Sequence, residues 1–410
     1  MSLPVLIIGG GIVGLTLAQG LKKAGIPFQV YERDADADVK SGGWGITVHW
    51  ALPALAACLP DDLYARLTHI QVDPQQGIRD TGRFLFLDLA TATPVYVIPP
   101  SQRLRINRRK LRTLLSEGID VAWNKALVSV ETPAADGQDG VVAHFADGSS
   151  AAGSLIVGAD GSRSRTRRQL FPDNAAAAQL YSLPVRFMGV TVRLTEDQVR
   201  PLRTIDPLLF QGSHPESGVY MWYSTLSTPE VNGSRGASAD VYYEAQINLS
   251  WIVTGPDDEV PPTQSARLAK LKTLAQPFEA RLRQAIDDIP DGTEVLEIQL
   301  QDWPPISWDN RASTVTLAGD AAHAMTMYRG EAFNHGVTDA ARLVENLGSA
   351  WNAGREGLAA AVDAYEADLM ARTRPAVLLS RQACLDAHDL KNLKPDSPLV
   401  SKRARAVEDV

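Results

Sequence analysis

The chain has 410 residues, 45% of them hydrophobic, enough to bury a large core in two lobes, which excludes a disordered or fibrous protein. A net charge of −8 argues against nucleic acid as the main partner, because phosphate backbones are bound chiefly by Lys and Arg. Cys58 and Cys384 are the two cysteines, so neither a disulfide framework nor a C-x-x-C redox pair is expected; with no run of about eighteen apolar residues and a first strand near Leu3, a cytoplasmic protein without stable membrane insertion is expected.

Residues 5–8 (Val-Leu-Ile-Ile) form an apolar run that ends in glycines spaced G-x-G-x-x-G at Gly9, Gly11 and Gly14, followed by helical periodicity over residues 15–24. This reads as strand, tight turn and helix. Gly9 makes the turn, Gly11 lets a pyrophosphate approach the backbone, and Gly14 lets helix and strand pack closely. Free N–H groups at the helix start face the phosphates. Gly25 is placed as a helix C-cap, residues 28–31 as a second strand, and Glu32 at its tip to bond a ribose hydroxyl. The unit predicts a dinucleotide site, with NAD and FAD both open.

A polar loop over residues 34–40 leads to Gly42, Gly43 and Gly45, which either let the backbone approach something flat or make a plain turn. Residues 106–115 read as a basic helix start with Leu111, Leu114 and Leu115 on one face; the arginines there, Arg108 among them, read first as a solvated surface. Residues 121–145 predict strands around a turn at Asp136, Gly137 and Gly140. A second apolar strand, 155–158, leads to Asp160-Gly161, with Ser162 or Ser164 starting a helix: either an Asp-Gly turn with a serine cap or a ligand contact. The cluster Arg163, Arg165, Arg167 and Arg168 stands alone in an acidic chain and matches cofactor phosphates better than nucleic acid.

From about Tyr181 the strands lengthen, over 185–194, 208–211, 219–226 and 242–253. In the last, Tyr243, Ala245, Ile247, Leu249 and Trp251 alternate with Glu244, Gln246, Asn248 and Ser250, giving one packed face and one polar face. The polar face is either a wall over a cofactor or a solvated surface. Residues 266–289 are helical, broken near Pro277, and 295–303 return to strand. Residues 315–320 repeat the strand-then-acid pattern at Asp320, before a loop with Gly330 and an apolar-periodic helix to about Trp351. Three strand-end acids, Glu32, Asp160 and Asp320, point to one extended cofactor contacted along its length. Helices over 357–373 and 376–389 precede a polar tail expected to be mobile.

These motifs, in this order, resemble the class A (single-component) flavin-dependent monooxygenases of the para-hydroxybenzoate hydroxylase type, from Val5 to about Ala371. Gly9-x-Gly11-x-x-Gly14 with Glu32 resembles the family's FAD adenosine site. Asp160-Gly161 with Arg167 is similar to its Asp-Gly motif, associated with both FAD and the nicotinamide cofactor. Gly319-Asp320 with His323 matches its Gly-Asp motif, whose aspartate holds the ribityl chain, and Arg108 sits where the family has an arginine near the FAD phosphates.

The resemblance implies an α/β fold: a Rossmann-like FAD-binding domain of the GR2 type (residues 1–70, 101–180 and 300–373), an inserted β-sheet substrate domain (71–100 and 181–299), and a C-terminal helix and polar tail (374–410). It implies FAD as cofactor, contacted by Gly9, Gly11, Val13, Gly14, Glu32, Arg33, Gly45, Arg108, Asp160, Gly161, Asp320, Gly330 and Phe333, with NAD(P)H as co-substrate. The implied reaction has NAD(P)H reduce FAD and O2 add at flavin C4a. The hydroperoxide then hydroxylates or epoxidises an electron-rich small molecule such as a phenol, indole or polyketide. A helix N-terminus at residues 330–334 would stabilise the anionic reduced flavin.

Arg193 lies roughly where related hydroxylases place an arginine that holds a phenolate or enolate oxygen, and Tyr223 is read as sharing that task; otherwise they are a surface arginine and a core tyrosine. His323 and His335 are read as structural. The chain departs from the family pattern at Met327, usually proline, and at Gly330-Glu331-Ala332, usually a Gly-Gln-Gly-like triplet. Ala332 tolerates positive φ poorly, Phe333 is bulky beside the flavin edge, and an ionised Glu331 opposes an anionic flavin unless it points away. These departures keep open a flavin-binding protein that no longer oxygenates, a non-redox scaffold or cyclisation catalyst. An NAD-dependent dehydrogenase built on the N-terminal unit alone fits less well, because it leaves the Asp160 and Asp320 motifs without a use.

Overall fold

A computed structural model describes residues 3–36, 44–132, 140–236 and 240–401. Gly42, Gly43 and the turn at Asp136 and Gly137 lie outside the described residues. The apolar run Val5–Ile8 is buried at every position, as a strand covered on both faces must be. It pairs in parallel with Phe28–Tyr31 on one side and Leu155–Gly158 on the other. Leu155–Gly158 in turn pairs with Val315–Leu317, and Val121–Ala122 closes the far edge. In this five-stranded sheet the strands ending at Leu317, Gly158, Ile8 and Tyr31 are consecutive neighbours. The segments after them, holding Asp320, Asp160, the glycine turn and Glu32, therefore emerge side by side at the carboxyl edge, where open parallel sheets bind ligands.

A seven-stranded sheet forms the second lobe, in the order Leu296–Glu297, Val185–Leu194, Tyr243–Ile252, Tyr220–Ser227, Leu209–Ser213, Phe84–Asp88 and Thr93–Ile98. One face, with Ala245, Ile247 and Leu249, packs on the helices Gln264–Leu274 and Ala280–Asp287 through Leu268, Leu271, Leu282 and Ile286. On the opposite face Gln246, Asn248 and Ser250 are also buried, at 4%, 1% and 0% exposure. That face turns toward the first lobe: Arg105 donates to Ser224 Oγ, and Tyr328 donates to Ser250 Oγ. The solvated-surface reading of this face therefore does not hold.

Two expectations for the C-terminus are corrected. The two predicted helices are one, Gly354–Asp386, which runs through Pro375. The following segment is packed up to Val400: Ala383, Cys384, Leu399 and Val400 are buried with Phe187, Leu209 and Tyr220 of the second sheet. Sparse apolar residues in a polar tail give no periodicity, yet each fills a place on a sheet that would otherwise be exposed. Among the described residues no helix is long and apolar enough to cross a membrane.

A Cβ at Gly14 would collide with the carbonyl oxygen of Gly9. Gly14→Ala is expected to destabilise the protein by about 1–3 kcal/mol through this overpacking, read as a lower urea midpoint; an unchanged midpoint would mean that strand and helix separate without cost.

Candidate active site

Gly9 has φ +119°, and a side chain there would meet the carbonyl of Ala159. Gly11 differs: no atom lies within 4 Å of the place where its Cβ would stand. The chain itself has no need of a glycine there, so the cradle is open to a ligand. The helix Ile12–Lys23 starts at this point with no side-chain cap, leaving its first N–H groups available. Val13 points inward instead, against the positions that Cβ atoms of Gly319 and Gly336 would take. It spaces the Asp320 turn from the neighbouring helix.

Glu32 is buried at the strand tip, with Oε2 accepting from the Gly10 N–H at 2.8 Å and Oε1 from the Asp34 N–H at 3.1 Å. Arg33 beside it is exposed. A cavity of about 160 Å³ runs past Gly11, Glu32, Arg33, Arg108, Asp160 and Gly161. The Asp160 carboxylate is used within its own turn: Oδ1 accepts from Ser164 Oγ at 2.6 Å, and Oδ2 accepts from the N–H groups of Arg165 and Thr166 at 2.7 and 3.1 Å. It caps the short helix Arg165–Gln169, while Gly161 leaves the cavity wall bare. Of the four clustered arginines, Arg167 is 1% exposed. Its guanidinium donates to the carbonyls of Ser162, Ala178 and Ala321 and lies 4.8 Å over the Trp303 ring. Burial pushes its pKa down to about 10. It is a staple between the Asp160 and Asp320 turns.

Asp320 and Arg108 are the groups here without a use inside the chain. Asp320 is exposed, and its carboxylate accepts no hydrogen bond among the described residues. The protein packed around it raises its pKa, with His323, Arg108 and Arg167 opposing. Arg108 forms no ion pair among the described residues; burial, then Arg112, lowers its pKa, while Asp320 raises it. An open glycine cradle and an unpaired cation on one cavity, with an unbonded carboxylate close enough to act on that cation, are the set of groups that an extended dinucleotide with a polyhydroxyl chain fits.

At the far end, Asn334 joins two segments: its Oδ1 accepts from the His49 N–H at 3.0 Å, and its Nδ2 donates to the carbonyls of Thr47 and Gly330 at 3.1 and 3.2 Å. The departures from the family pattern find room here. Gly330 takes the positive φ, +65°, and Ala332 simply begins the helix Ala332–Ala350. Glu331 is 1% exposed and accepts from Arg329 Nε at 2.8 Å, so its charge is balanced. Phe333 packs into the cluster of Ile12, Val48 and Val337. Gly45, at the start of the strand Gly45–Val48, is held to glycine by a neighbour, because a Cβ there would come 2.5 Å from Arg105 Nη2.

The structure does not bring Arg193 and Tyr223 together. Arg193 is exposed, its guanidinium 4.4 Å over the Tyr242 ring, and pairs across the sheet with Glu244. Tyr223 pairs with Ile247 on the opposite, apolar face. It is fully buried, stacked 4.9 Å from Phe210, and burial raises its pKa to about 12. Strand alternation separates the two, so the joint role expected for them has no geometric support. Arg105 and Asn334 were missed. Their strand and helix positions are ordinary, and only long-range pairing gives them significance.

A model of the FAD binding domain matches residues 274–378. The FAD-dependent monooxygenase dbaB of Emericella nidulans is 52% identical over all of this chain and 95% of its own length. The chain belongs to the FAD-dependent monooxygenases. The FAD-dependent monooxygenase cctM of Talaromyces islandicus is 35% identical over 96% of this chain and 95% of its own. In fold, the monooxygenase also matches 2,6-dihydroxypyridine-3-hydroxylase of Arthrobacter nicotinovorans, with a TM-score of 0.73 and 16% identity over 100% of this chain and 99% of that one. A further match in fold is HpxO of Klebsiella pneumoniae, complexed with FAD and uric acid, with a TM-score of 0.70 and 22% identity over 95% of this chain and 89% of that one.

Two cavities flank the strand Gly45–Val48 of the monooxygenase. The larger, about 290 Å³, is lined by Trp44, Asn107, Thr191 and Gln246; the smaller, about 50 Å³, by Thr47, Trp222, Tyr328 and Gly330. Beneath them lies a buried polar layer. Asp339 Oδ2 accepts from the Gly319 N–H at 2.7 Å and from His323 Nε2 at 2.6 Å, and Oδ1 accepts from Arg372 at 2.7 Å. Burial alone would raise the Asp339 pKa, but His323 and Arg372 hold it well below the usual carboxylate range. Arg372 also donates to His335 Nδ1. Beside the smaller cavity, Tyr328 donates to Ser250, which donates to His388 Nε2, whose Nδ1–H is bonded to the Cys384 carbonyl.

Burial, with His323 and Arg372, pushes the His335 pKa down to about 3, and burial pushes that of His388 down to about 4, from 6.5. Both are neutral when folded but take up protons when unfolded. The stability they contribute is full above pH 6.5 and is lost as pH falls toward their folded values, by about 1.4 kcal/mol per pH unit for each histidine. Urea midpoints should therefore drop between pH 6.5 and 4, and the slope should shrink in a His335→Asn, His388→Asn double variant; an equal slope in wild type and variant would refute the assignment.

Proposed function

We propose that this FAD-dependent monooxygenase uses NAD(P)H and O2 to insert one oxygen atom into an electron-rich small molecule such as a phenol, an indole or an enolisable polyketide. The observation that carries this reading is the run of unoccupied polar capacity from Gly11 through Arg108 to Asp320, leading to cavities walled by the polar face of the second sheet. Glu32 and Arg33 take the adenosine end. The Gly11 cradle, the first N–H groups of the helix Ile12–Lys23 and Arg108 take the diphosphate. Asp320 takes the polyhydroxyl chain. The strand Gly45–Val48 and the turn at Gly330, which Asn334 fixes relative to each other, would hold the ring.

Bound FAD supplies electron transfer from the nicotinamide and activation of O2; the protein supplies position, dryness and field. The start of the helix Ala332–Ala350 would supply positive potential to an anionic reduced flavin, and the Arg329–Glu331 pair keeps a buried carboxylate from opposing it. The sheet's buried polar face orients the substrate, and the apolar residues Phe84 and Leu209 in the smaller cavity exclude water. The reading as a non-oxygenating flavin protein rested on strain at Ala332 and crowding by Phe333. With the positive φ at Gly330 and Phe333 packed against the cluster of Ile12 and Val48, that ground is gone.

Asp320→Ala is expected to weaken FAD binding roughly tenfold to a hundredfold, the worth of hydrogen bonds to a charged group, measured as flavin absorbance per protein and by fluorescence titration. Normal flavin occupancy would contradict the assignment. Anaerobic mixing of the holoenzyme with NADPH or NADH should bleach the flavin, and phenols, indoles or enolisable polyketides should gain one oxygen by mass spectrometry. If neither nicotinamide bleaches the flavin with any of these substrates present, the proposed activity falls.

A further inference from the structure

Between the two cavities stands a buried cation that no counter-ion balances among the described residues. Arg105 lies in the strand Leu104–Asn107 and is 3% exposed. Its neighbour Arg103 is also buried but held by Asp80 in two hydrogen bonds of 2.7 and 3.1 Å. Arg105 has no such partner. Its Nη1 donates to Thr47 Oγ1 at 2.9 Å and its Nη2 to Ser224 Oγ at 2.7 Å, both neutral acceptors, and its Nε has no acceptor among the described residues. The nearest charge acting on it is Arg103, which is of like sign; burial and this neighbour push its pKa down to about 9. Burying an unpaired charge is costly unless something pays it back.

The surroundings show where a counter-ion would come from. Thr47, to which Arg105 donates, and Trp222, whose ring lies 5.9 Å from its guanidinium carbon, line the smaller cavity. Gln246, which faces Ser224 across the sheet, lines the larger one. Gln246 Oε1 and both polar side-chain atoms of Asn248 are buried without hydrogen-bond partners among the described residues, on the same face of the sheet. Gly45 and Gly189 are the residues that leave space for these side chains, since a Cβ on either would run into Arg105 or Asn248. A cation without a counter-ion, with the unpartnered donor Asn248 Nδ2 on the same sheet face, is a seat for an ionised oxygen, and the unpartnered acceptors Gln246 Oε1 and Asn248 Oδ1 suit donor substituents flanking it.

We propose that Arg105 binds the ionised oxygen of the substrate, a phenolate or enolate, with Asn248 Nδ2 donating beside it and Gln246 Oε1 accepting from a neighbouring donor substituent. This rests on the monooxygenase reading of the site. It assigns to Arg105 the task that Arg193, exposed on the strand end, is not placed to perform. Holding the oxygen as an anion enriches the ring or enol carbon in electrons, which is what an electrophilic oxygen donor attacks.

The test uses oxidised holoenzyme without turnover, so that it stands apart from nicotinamide oxidation and oxygenation. The probe is para-nitrophenol, whose phenol and phenolate absorb at different wavelengths, with para-nitroanisole as the control that cannot ionise. Wild type should bind the phenolate in preference to the ether and lower the apparent pKa of the bound phenol. Arg105→Gln should keep FAD occupancy yet lose roughly tenfold to a hundredfold in phenolate affinity, the range for a charge-assisted hydrogen bond, and lose the pKa shift. Arg105→Lys should restore part of both. Equal binding of phenol and ether by wild type, binding of neither, or an Arg105→Gln variant with unchanged phenolate affinity would overturn the proposal. So would an Arg105→Gln variant in which only the flavin's reduction potential moves, since the charge would then serve the flavin. If Arg105→Gln loses its flavin, the wild-type preference and Arg105→Lys decide.

Discussion

Asp339 is the point on which the cofactor side of the molecule depends. From one helix its carboxylate accepts the N–H of Gly319, the imidazole of His323 and the guanidinium of Arg372, and so ties the strand-end turn, the short helix after it and the long C-terminal helix to a single buried charge. Removing one partner of such a buried arrangement costs far more than forming it gains, because the remaining charge stays desolvated. The network lies directly under Asp320, whose carboxylate is left exposed. Its rigidity is what allows Asp320 to remain unbonded in the protein and still be held in one place.

Topology does the rest of the assembly. The segments after Ile8, Gly158 and Leu317 are about 150 residues apart along the chain, yet their strands are adjacent in one parallel sheet. A contact at each therefore needs no special loop geometry, only the right residue two or three positions past each strand end. Arg167 adds the cross-link, bonding to carbonyls on either side of the gap between two of the turns. The cationic cluster that looked like phosphate ligands thus divides: Arg167 holds the frame, while Arg165 lines the cavity and bonds to the Leu127 carbonyl.

What was legible in the sequence is what depends on local pattern. The strand, glycine turn and helix of residues 5–24, the alternation of residues 243–251 and the strand-end acids could be read because spacing alone carries them. Tyr223 and Arg193 show the limit. Each strand's alternation is visible, but which residue of one strand lies opposite which residue of the next is set by register, and a one-residue slip moves a side chain through the sheet. Leu399 and Val400 had no periodicity to reveal them, and the helix through Pro375 overrides a local rule because its apolar face is packed along its length. Asn334 and Arg105 are defined by contacts almost 300 and about 120 residues away, which no window along the chain contains.

The two deeply buried arginines, Arg167 and Arg105, make a final distinction between structure held for its own sake and structure held ready. Both are enclosed to within a few per cent, both sit over a tryptophan, and burial lowers both pKa values. Arg167 reaches carbonyl oxygens with every branch of its guanidinium, so its charge is dispersed into the backbone of the turns it joins. Arg105 meets two hydroxyls and leaves Nε without an acceptor among the described residues. A core selected only for stability would replace such a group with an apolar one of similar volume, since burying it unpaired is unfavourable. Its presence where the flavin loop meets the polar face of the second sheet is consistent with a site that takes its missing acceptor from outside the chain.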